Sequence, residues 1–270
     1  MYPPYTLARV MARNILGTGT PLGIPASKIN RLGFKDGSEA MLYTGLMYQM
    51  MPFISKLTRI MRRFEGWSVE RLISAISTVS SSFPTFYGFL RVEERDKRYF
   101  DGILQKISEL LRISGVDFFY EPELDFYSGI LLYEIGNDEV FAEYASFVAE
   151  RLREQGIRKV ITVDPHTTYA LKVLYPQFTG INLDVRSYLE LLRLGDSRDE
   201  EGWRAVVHDP CYYARHLEMS GIIRGVLQDC GVQCVDSRNS RKLTSCCGGP
   251  IESRSEEHTS ELQSPFNLVC

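Results

Sequence analysis

The apolar positions of this chain change period several times, and each change marks an element. Near the start, MYPPYTLARVMARNILG places apolar residues every three or four positions, which predicts a short amphipathic helix. GTGTPLGIPASKINRLGF follows, rich in turn residues and without periodicity. AMLYTG then reads as a buried strand closed by glycine. Through about Ser81, MYQMMPFISKLTRIMRRF and SVERLISAISTVSS return to the helical period. EERDKRYFDGILQKISELLRISG predicts a strong helix stopped at Gly115, and VDFFYEP a strand.

From there helix and strand alternate with short loops. NDEVFAEYASFVAERLREQG predicts a capped helix closed by Gly156, IRKVITV a strand, and DPHTTYALKVLYP a helix opened by Asp164 and Pro165. VRSYLELLRLG is expected as a further helix, WRAVVH as a strand, YYARHLEMSGIIRGVLQDCG as one helix, and VQCV as a strand. Such alternation implies a parallel sheet covered by helices. Two junctions share a local design: strand, Asp-Pro, one residue, helix. Asp164 and Asp209 are each expected to cap a helix, with Pro165 and Pro210 in its first turn. The repetition points to an α/β chain of two pseudo-repeated parallel-sheet halves, Rossmann-like, the second truncated. In such sheets ligands collect beyond the carboxyl ends of the strands, where HDPC and DPHT fall.

Composition mainly excludes. With 270 residues, 44% hydrophobic and 24% charged, the chain has enough apolar material for one large core or two smaller ones. A net charge of −3 gives no electrostatic reason to expect nucleic acid. No run of about eighteen apolar residues appears, so no membrane-spanning helix is expected. The N-terminus lacks the features of a secretion signal. A cytoplasmic protein is expected, with any membrane association made through a partner protein.

The cysteines change the picture. None of the six precedes Cys211, and five lie between Cys211 and Cys247. A disulfide framework would be spread along a small secreted domain, so this clustering argues for a local metal or redox site. Cys211 falls where strand becomes helix, and a helix N-terminus favours the thiolate, the form that binds metal. Cys246 and Cys247 precede Gly248, Gly249 and Pro250. Neighbouring side chains diverge, so aiming both sulfurs at one cofactor needs an unusual backbone. Gly248 and Gly249 permit positive φ, and their N–H groups can donate to sulfide or thiolate. Zinc sites space cysteines two to four residues apart, so an iron–sulfur cluster suits the adjacent pair better. Cys230 and Cys234, on a helix end and a strand, read as core residues. Cys270 carries no weight.

HDPCYYARH and SCCGGP resemble the cysteine-rich CCG domain of the B-type and D-type polypeptides of heterodisulfide reductases. That domain also occurs in related components of glycerol-3-phosphate and lactate oxidation systems. A full repeat of the family supplies one cysteine, then Cys-Cys-Gly, then Cys-Pro-x-Cys. In the heterodisulfide reductases the five thiolates hold a non-cubane [4Fe–4S] cluster, which cleaves a disulfide in one-electron steps. The resemblance implies Cys211, Cys246 and Cys247 as cluster ligands and Gly248 and Gly249 as the cofactor-binding turn. His208 and Arg215 flank the motif and could supply a proton or hold an anionic substrate. Surface or capping roles are equally open for both.

The resemblance continues in the first half without its cysteines. LYTGLMYQ resembles the first-cysteine segment with Leu46 in place of the ligand. FYSGILLYEIG resembles the Cys-Cys-Gly segment, with Tyr127 and Ser128 in place of cysteine and Gly129 kept. TVDPHTTYALK resembles the Cys-Pro-x-Cys segment, with Asp164 and Thr167 in place of cysteine and Pro165 kept. This implies a repeat that keeps its fold and has lost its cluster. Whether Asp164 and His166 bind anything is left open. RNILGTGTPLGIP resembles the stretch before the CCG region in the D-type proteins, which often carry a ferredoxin-type domain ahead of it. Electrons are therefore expected from another protein of a redox complex, a ferredoxin-type or flavin donor, with a disulfide or thiol as substrate.

The expected organisation is an N-terminal helix and extended segment over 1–35, a degenerate repeat over 36–180, an incomplete CCG repeat over 181–253, and a tail over 254–270. RSEEHTSELQS, from Arg254 to Ser264, resembles a translated sequencing-library adapter and has no periodicity that would continue a sheet. The closing Cys-Pro-x-Cys is expected in sequence that the tail displaces, so this chain would offer three of five ligands and bind a cluster poorly. Two functions follow: an iron–sulfur electron-transfer subunit of a heterodisulfide reductase-like oxidoreductase, or a non-catalytic scaffold subunit of a redox complex. A structural zinc protein is the weakest reading, because of the adjacent cysteines.

Overall fold

A computed structural model describes residues 4–30, 32–33, 38–63, 92–195 and 202–246. The helix expected in SVERLISAISTVSS, the tail, and Cys247, Gly248 and Gly249 lie outside the described residues. In chain order the elements are α1 (Pro4–Thr18), α2 (Ala26–Ile29), β1 (Ala40–Tyr43), α3 (Met47–Arg63), α4 (Glu94–Ile113), α5 (Ile130–Glu134) and α6 (Asp138–Glu154). Then come β2 (Lys159–Thr162), α7 (Pro165–Tyr169), a π turn (Ala170–Leu174), α8 (Tyr175–Thr179), β3 (Asp184–Ser187) and α9 (Tyr188–Leu191). The last group is β4 (Arg204–Val206), a second π turn (Tyr212–His216), α10 (Ser220–Asp229), β5 (Gln233–Val235) and a 3₁₀ turn (Arg241–Leu243).

β1, β2 and β3 form one parallel sheet in that order, with Met41 opposite Val160 and Val160 opposite Val185. Alternation along the strands sends Met41, Tyr43, Val160 and Val185 into one core, shared with Ile15 of α1 and Phe141 and Val148 of α6. Leu42 and Ile161 enter the opposite core, against Leu104, Ile107 and Leu111 of α4. Both faces are covered at β1 and β2, which is why these two strands read as apolar runs, whereas β3 buries only Val185 and Ser187. Burying a leucine such as Leu104 or Leu111 contributes about 2 kcal/mol. β4 and β5 pair in parallel as a separate two-stranded sheet, beside which Trp203 and Val206 are exposed. The chain is thus α/β with parallel sheets. No helix among the described residues is long and apolar enough to cross a membrane.

Helix ends follow the sequence closely. α4 and α6 stop at Gly115 and Gly156, both left-handed, and the next N–H turns back onto the helix: Val116 to Leu111 at 3.0 Å and Ile157 to Leu152 at 2.9 Å. Pro176 sits near the start of α8, immediately after the first π turn, where the helix widens to accommodate a ring that cannot donate.

Three elements differ from expectation. VDFFYEP makes only one bridge, Phe119 beside Met41, because Pro122 ends any ladder. DVRS is strand, not helix, with Val185 and Ser187 buried alternately. The helix after it is a single turn, opened by a capping box between Ser187 and Glu190. β3 lies beyond residue 180 and still pairs with β2. The long helix expected after Cys211 is split: Glu218 is left-handed (φ 56°), and Met219 N–H closes onto Tyr213 O at 2.7 Å before α10 begins.

Candidate functional site

The site grows from Asp209, which follows β4 and is fully buried. It does not cap a helix as expected. Arg224 of α10 binds its carboxylate with two parallel bonds, Nη1 to Oδ1 at 2.6 Å and Nη2 to Oδ2 at 2.9 Å. Arg224 also reaches Asp236, beyond β5, so the ion pair joins three segments. Burial alone would raise the Asp209 carboxyl. The Arg224 guanidinium and the Arg241 N–H outweigh burial and hold it below the usual carboxylate range.

Asp209 also grips the segment that carries the later cysteines. Its Oδ2 accepts the Arg241 N–H at 2.7 Å, and its carbonyl accepts the Thr244 hydroxyl at 2.8 Å. Arg215 adds a bond from its guanidinium to the Thr244 carbonyl. With those segments joined, Cys211 and Cys246 line one open cavity of about 520 Å³.

The cavity takes groups from both halves: Tyr133, Glu134, Asp138 and His166 from the first, and Tyr212, Arg215 and His216 from the second. Tyr212 donates its hydroxyl to Glu134 Oε1 at 2.8 Å, and His166 Nε2 lies 3.7 Å from the same oxygen. Burial, then the Glu134 charge, pushes the Tyr212 phenol well up, so it stays a donor. Tyr169 stacks on Tyr212 at 4.8 Å, and His216 leans on both rings. Behind the wall, the Tyr213 hydroxyl sits 2.8 Å from Ser187 Oγ and 3.3 Å from Thr168 Oγ1, linking the second half to β3 and α7.

The structure therefore brings together Cys211, Cys246 and Arg215. His208 is exposed on the loop after β4 and is not in the cavity lining, nor are Cys230 and Cys234. Cys211 caps a single π turn, so the dipole of a long helix is not behind it. Sequence reasoning missed Glu134, Tyr212 and His216. The Tyr212/His216 spacing was a faint signal, but the approach of Glu134 from the other half had none. Among the described residues, no group of three His, Cys, Asp or Glu side chains is placed to hold a metal ion. The two thiols on one cavity, with Cys247 next in sequence, fit the soft donor set of an iron–sulfur cluster.

The first-half positions that the resemblance sets against the cysteine motif are packed. Leu46, Tyr127, Ser128, Asp164 and Thr167 are all buried, and Leu46 and Tyr127 belong to the main core. Gly45 is left-handed (φ 59°), and a Cβ there would collide with the Thr167 hydroxyl. Asp125 accepts from Thr44 N at 2.9 Å, Thr44 Oγ1 at 2.5 Å, Gly45 N at 3.0 Å and Tyr120 OH at 2.8 Å. Asp164 caps α7, its Oδ1 accepting Thr167 N–H at 2.9 Å. Burial pushes both carboxyls up to about 6 against those bonds. Ser128 Oγ, Asp164 Oδ2 and Thr167 Oγ1 have no hydrogen-bond partner among the described residues. Asp164 and His166 do not combine into a metal-binding group there.

Three curated proteins are similar to part of the chain. The EtfAB:quinone oxidoreductase of Syntrophomonas wolfei is 29% identical over 163 residues, 58% of this chain and 22% of its own length. A Bacillus subtilis protein named "Probable iron-sulfur-binding oxidoreductase FadF" is 30% identical over 160 residues, 55% of this chain and 23% of its own. A Chromohalobacter salexigens protein named "Probable membrane-anchored ferredoxin" is 28% identical over 161 residues, 54% of this chain and 23% of its own. The chain spans less than a quarter of the length of each of these relatives. No known protein family matches it, and no solved structure does.

Proposed function

We propose that the chain is an iron–sulfur component of an electron-transferring oxidoreductase of the heterodisulfide reductase-like kind. In this reading Cys211, Cys246 and Cys247 supply thiolates to a [4Fe–4S] cluster, and Gly248 and Gly249 shape the turn that presents the last two. The observation that carries it is the meeting of Cys211 and Cys246 on one cavity, although a long stretch of chain separates them. The relatives support it, one named as an iron–sulfur-binding oxidoreductase and another as a quinone oxidoreductase.

When bound, the cluster would supply one-electron chemistry at the cavity. The chain's own part is to present soft ligands and to hold substrate beside the Tyr169–Tyr212 stack. Arg215 offers a fixed positive charge and His166 and His216 offer ring nitrogens, beside the carboxylates of Glu134 and Asp138, so the wall presents polar groups of both signs to a disulfide or thiol. Electrons would come from a ferredoxin-type or flavin partner in a redox complex. The relative named as membrane-anchored fits association with a membrane through such a partner.

The test is anaerobic reconstitution of the full-length gene product with iron and sulfide. Bound iron, acid-labile sulfide and visible absorption are expected, and all should be lost in Cys211→Ser and Cys246→Ser but kept in Cys230→Ser. A colourless, iron-free protein would overturn this reading in favour of the scaffold, which the ligand-free first half favours.

A further inference from the structure

We infer that Asp209 and Thr244 form a clamp that sets Cys211 against Cys246 before any cofactor arrives, making them positioning residues of the thiol pair. The argument comes from setting the two halves side by side. Asp209 stands two residues before Cys211, and Thr244 two residues before Cys246. In the first half Thr44 stands two residues before Leu46, and Asp125 two residues before Tyr127. Both pairs are bridged, with the residue types exchanged. Thr44 donates its hydroxyl to the Asp125 carboxylate at 2.5 Å, and Thr244 donates its hydroxyl to the Asp209 carbonyl at 2.8 Å.

Each bridge is doubled by main-chain N–H donors: Thr44 and Gly45 to Asp125, Arg241 to Asp209. All four residues are essentially without solvent exposure, so water offers no easy replacement for the bonds. A contact that served only a bound cofactor would have no reason to exist in the first half, where Leu46 and Tyr127 stand at the ligand positions. The clamp therefore belongs to the fold, and in the second half the fold delivers two thiols to one cavity. Arg224 stiffens that second clamp by pinning the Asp209 carboxylate to Asp236.

What the thiols hold rests on the proposed function; their placement does not. The test uses cofactor-free full chain carrying Cys247→Ser, treated with a short bifunctional maleimide. The intramolecular Cys211–Cys246 cross-link is mapped by mass spectrometry and compared with single-thiol modification. Thr244→Val should lower the ratio of cross-link to single modification roughly five-fold, the size expected for one hydrogen bond. Thr244→Ser, which keeps the hydroxyl, should restore it. Thr44→Val, which breaks the first-half bridge, should lower the melting temperature and leave the ratio unchanged. If Thr244→Val does not fold, Asp209→Asn tests the carboxylate arm of the clamp and should lower the ratio likewise.

An unchanged ratio in folded Thr244→Val or Asp209→Asn overturns the clamp, as does an equal fall in Thr44→Val. A clamp-dependent cross-link, together with no iron taken up by the full-length gene product that keeps Cys247, upholds the clamp and sinks the cluster instead.

Discussion

At the end of β1 the chain runs Thr44-Gly45-Leu46 into a regular helix; in the loop after β4 it runs Asp209-Pro210-Cys211 into one π turn. The first junction is closed over by core, the second faces a cavity. Leu46 is part of the main core at the first, whereas Cys211 at the second is half-buried on the cavity wall. The electrostatics differ in the same sense. Asp125 and Asp164 are buried with neutral donors and are pushed up to about 6, whereas Asp209 is held low by Arg224. One junction is closed by core packing; the other places a thiol at a cavity.

The sharpest way to break the comparison is to remove the feature found only at the second junction. Arg224→Met should destabilise the protein by about 3–5 kcal/mol, because it leaves the Asp209 carboxylate buried and unpaired. Chemical denaturation measures this, and a loss below about 1 kcal/mol would mean that Arg224 is dispensable. Next, Leu46→Ala should cost about 2–4 kcal/mol of stability without changing thiol reactivity at the cavity. Cys211→Ala, at the half-buried position two residues after Asp209, should cost about 1 kcal/mol at most while removing a thiol from the cavity. Equal stability losses at the two positions would remove the distinction.

The smallest effect is a difference in pH dependence. Asp164 has a folded-state pKa of about 6, above the ordinary aspartate value near 4. The folded state therefore binds that proton more tightly, and the associated stability is present below about pH 4 and lost as pH rises through 6. Asn caps helices as well as Asp, so Asp164→Asn should flatten the fall in denaturant midpoint between about pH 4 and pH 6. Asp209 has the opposite sign: its stabilisation is present above the ordinary value and lost as pH falls through its lowered pKa. A slope in Asp164→Asn identical to that of the parent would place the titration elsewhere.

Much of this arrangement was legible from residue order alone. Gly115 and Gly156 stop helices as read, and AMLY, KVIT, RAV and QCV are strands, because period and punctuation act locally. β3 was misread because Tyr188 and the leucines after it carry a helical period that swamps the two-residue alternation of DVRS. The break at Glu218 has no local marker, since neither glycine nor proline stands there. Of the cavity lining, Cys211, Cys246 and Arg215 could be read from their motif. Glu134 and the Arg224 grip on Asp209 could not, because both are contacts between segments remote in sequence and depend on how the sheets are placed.

Tyr213 has a consequence for taking the molecule apart. Its hydroxyl rivets the π turn behind Cys211 to Ser187 and Thr168, which belong to the three-stranded sheet and the helix after β2. A lone two-stranded sheet is at best marginally stable in water. The thiol-bearing half is therefore not a portable module: transplanted alone, it would lose both the rivet and the carboxylate and imidazole of its cavity wall.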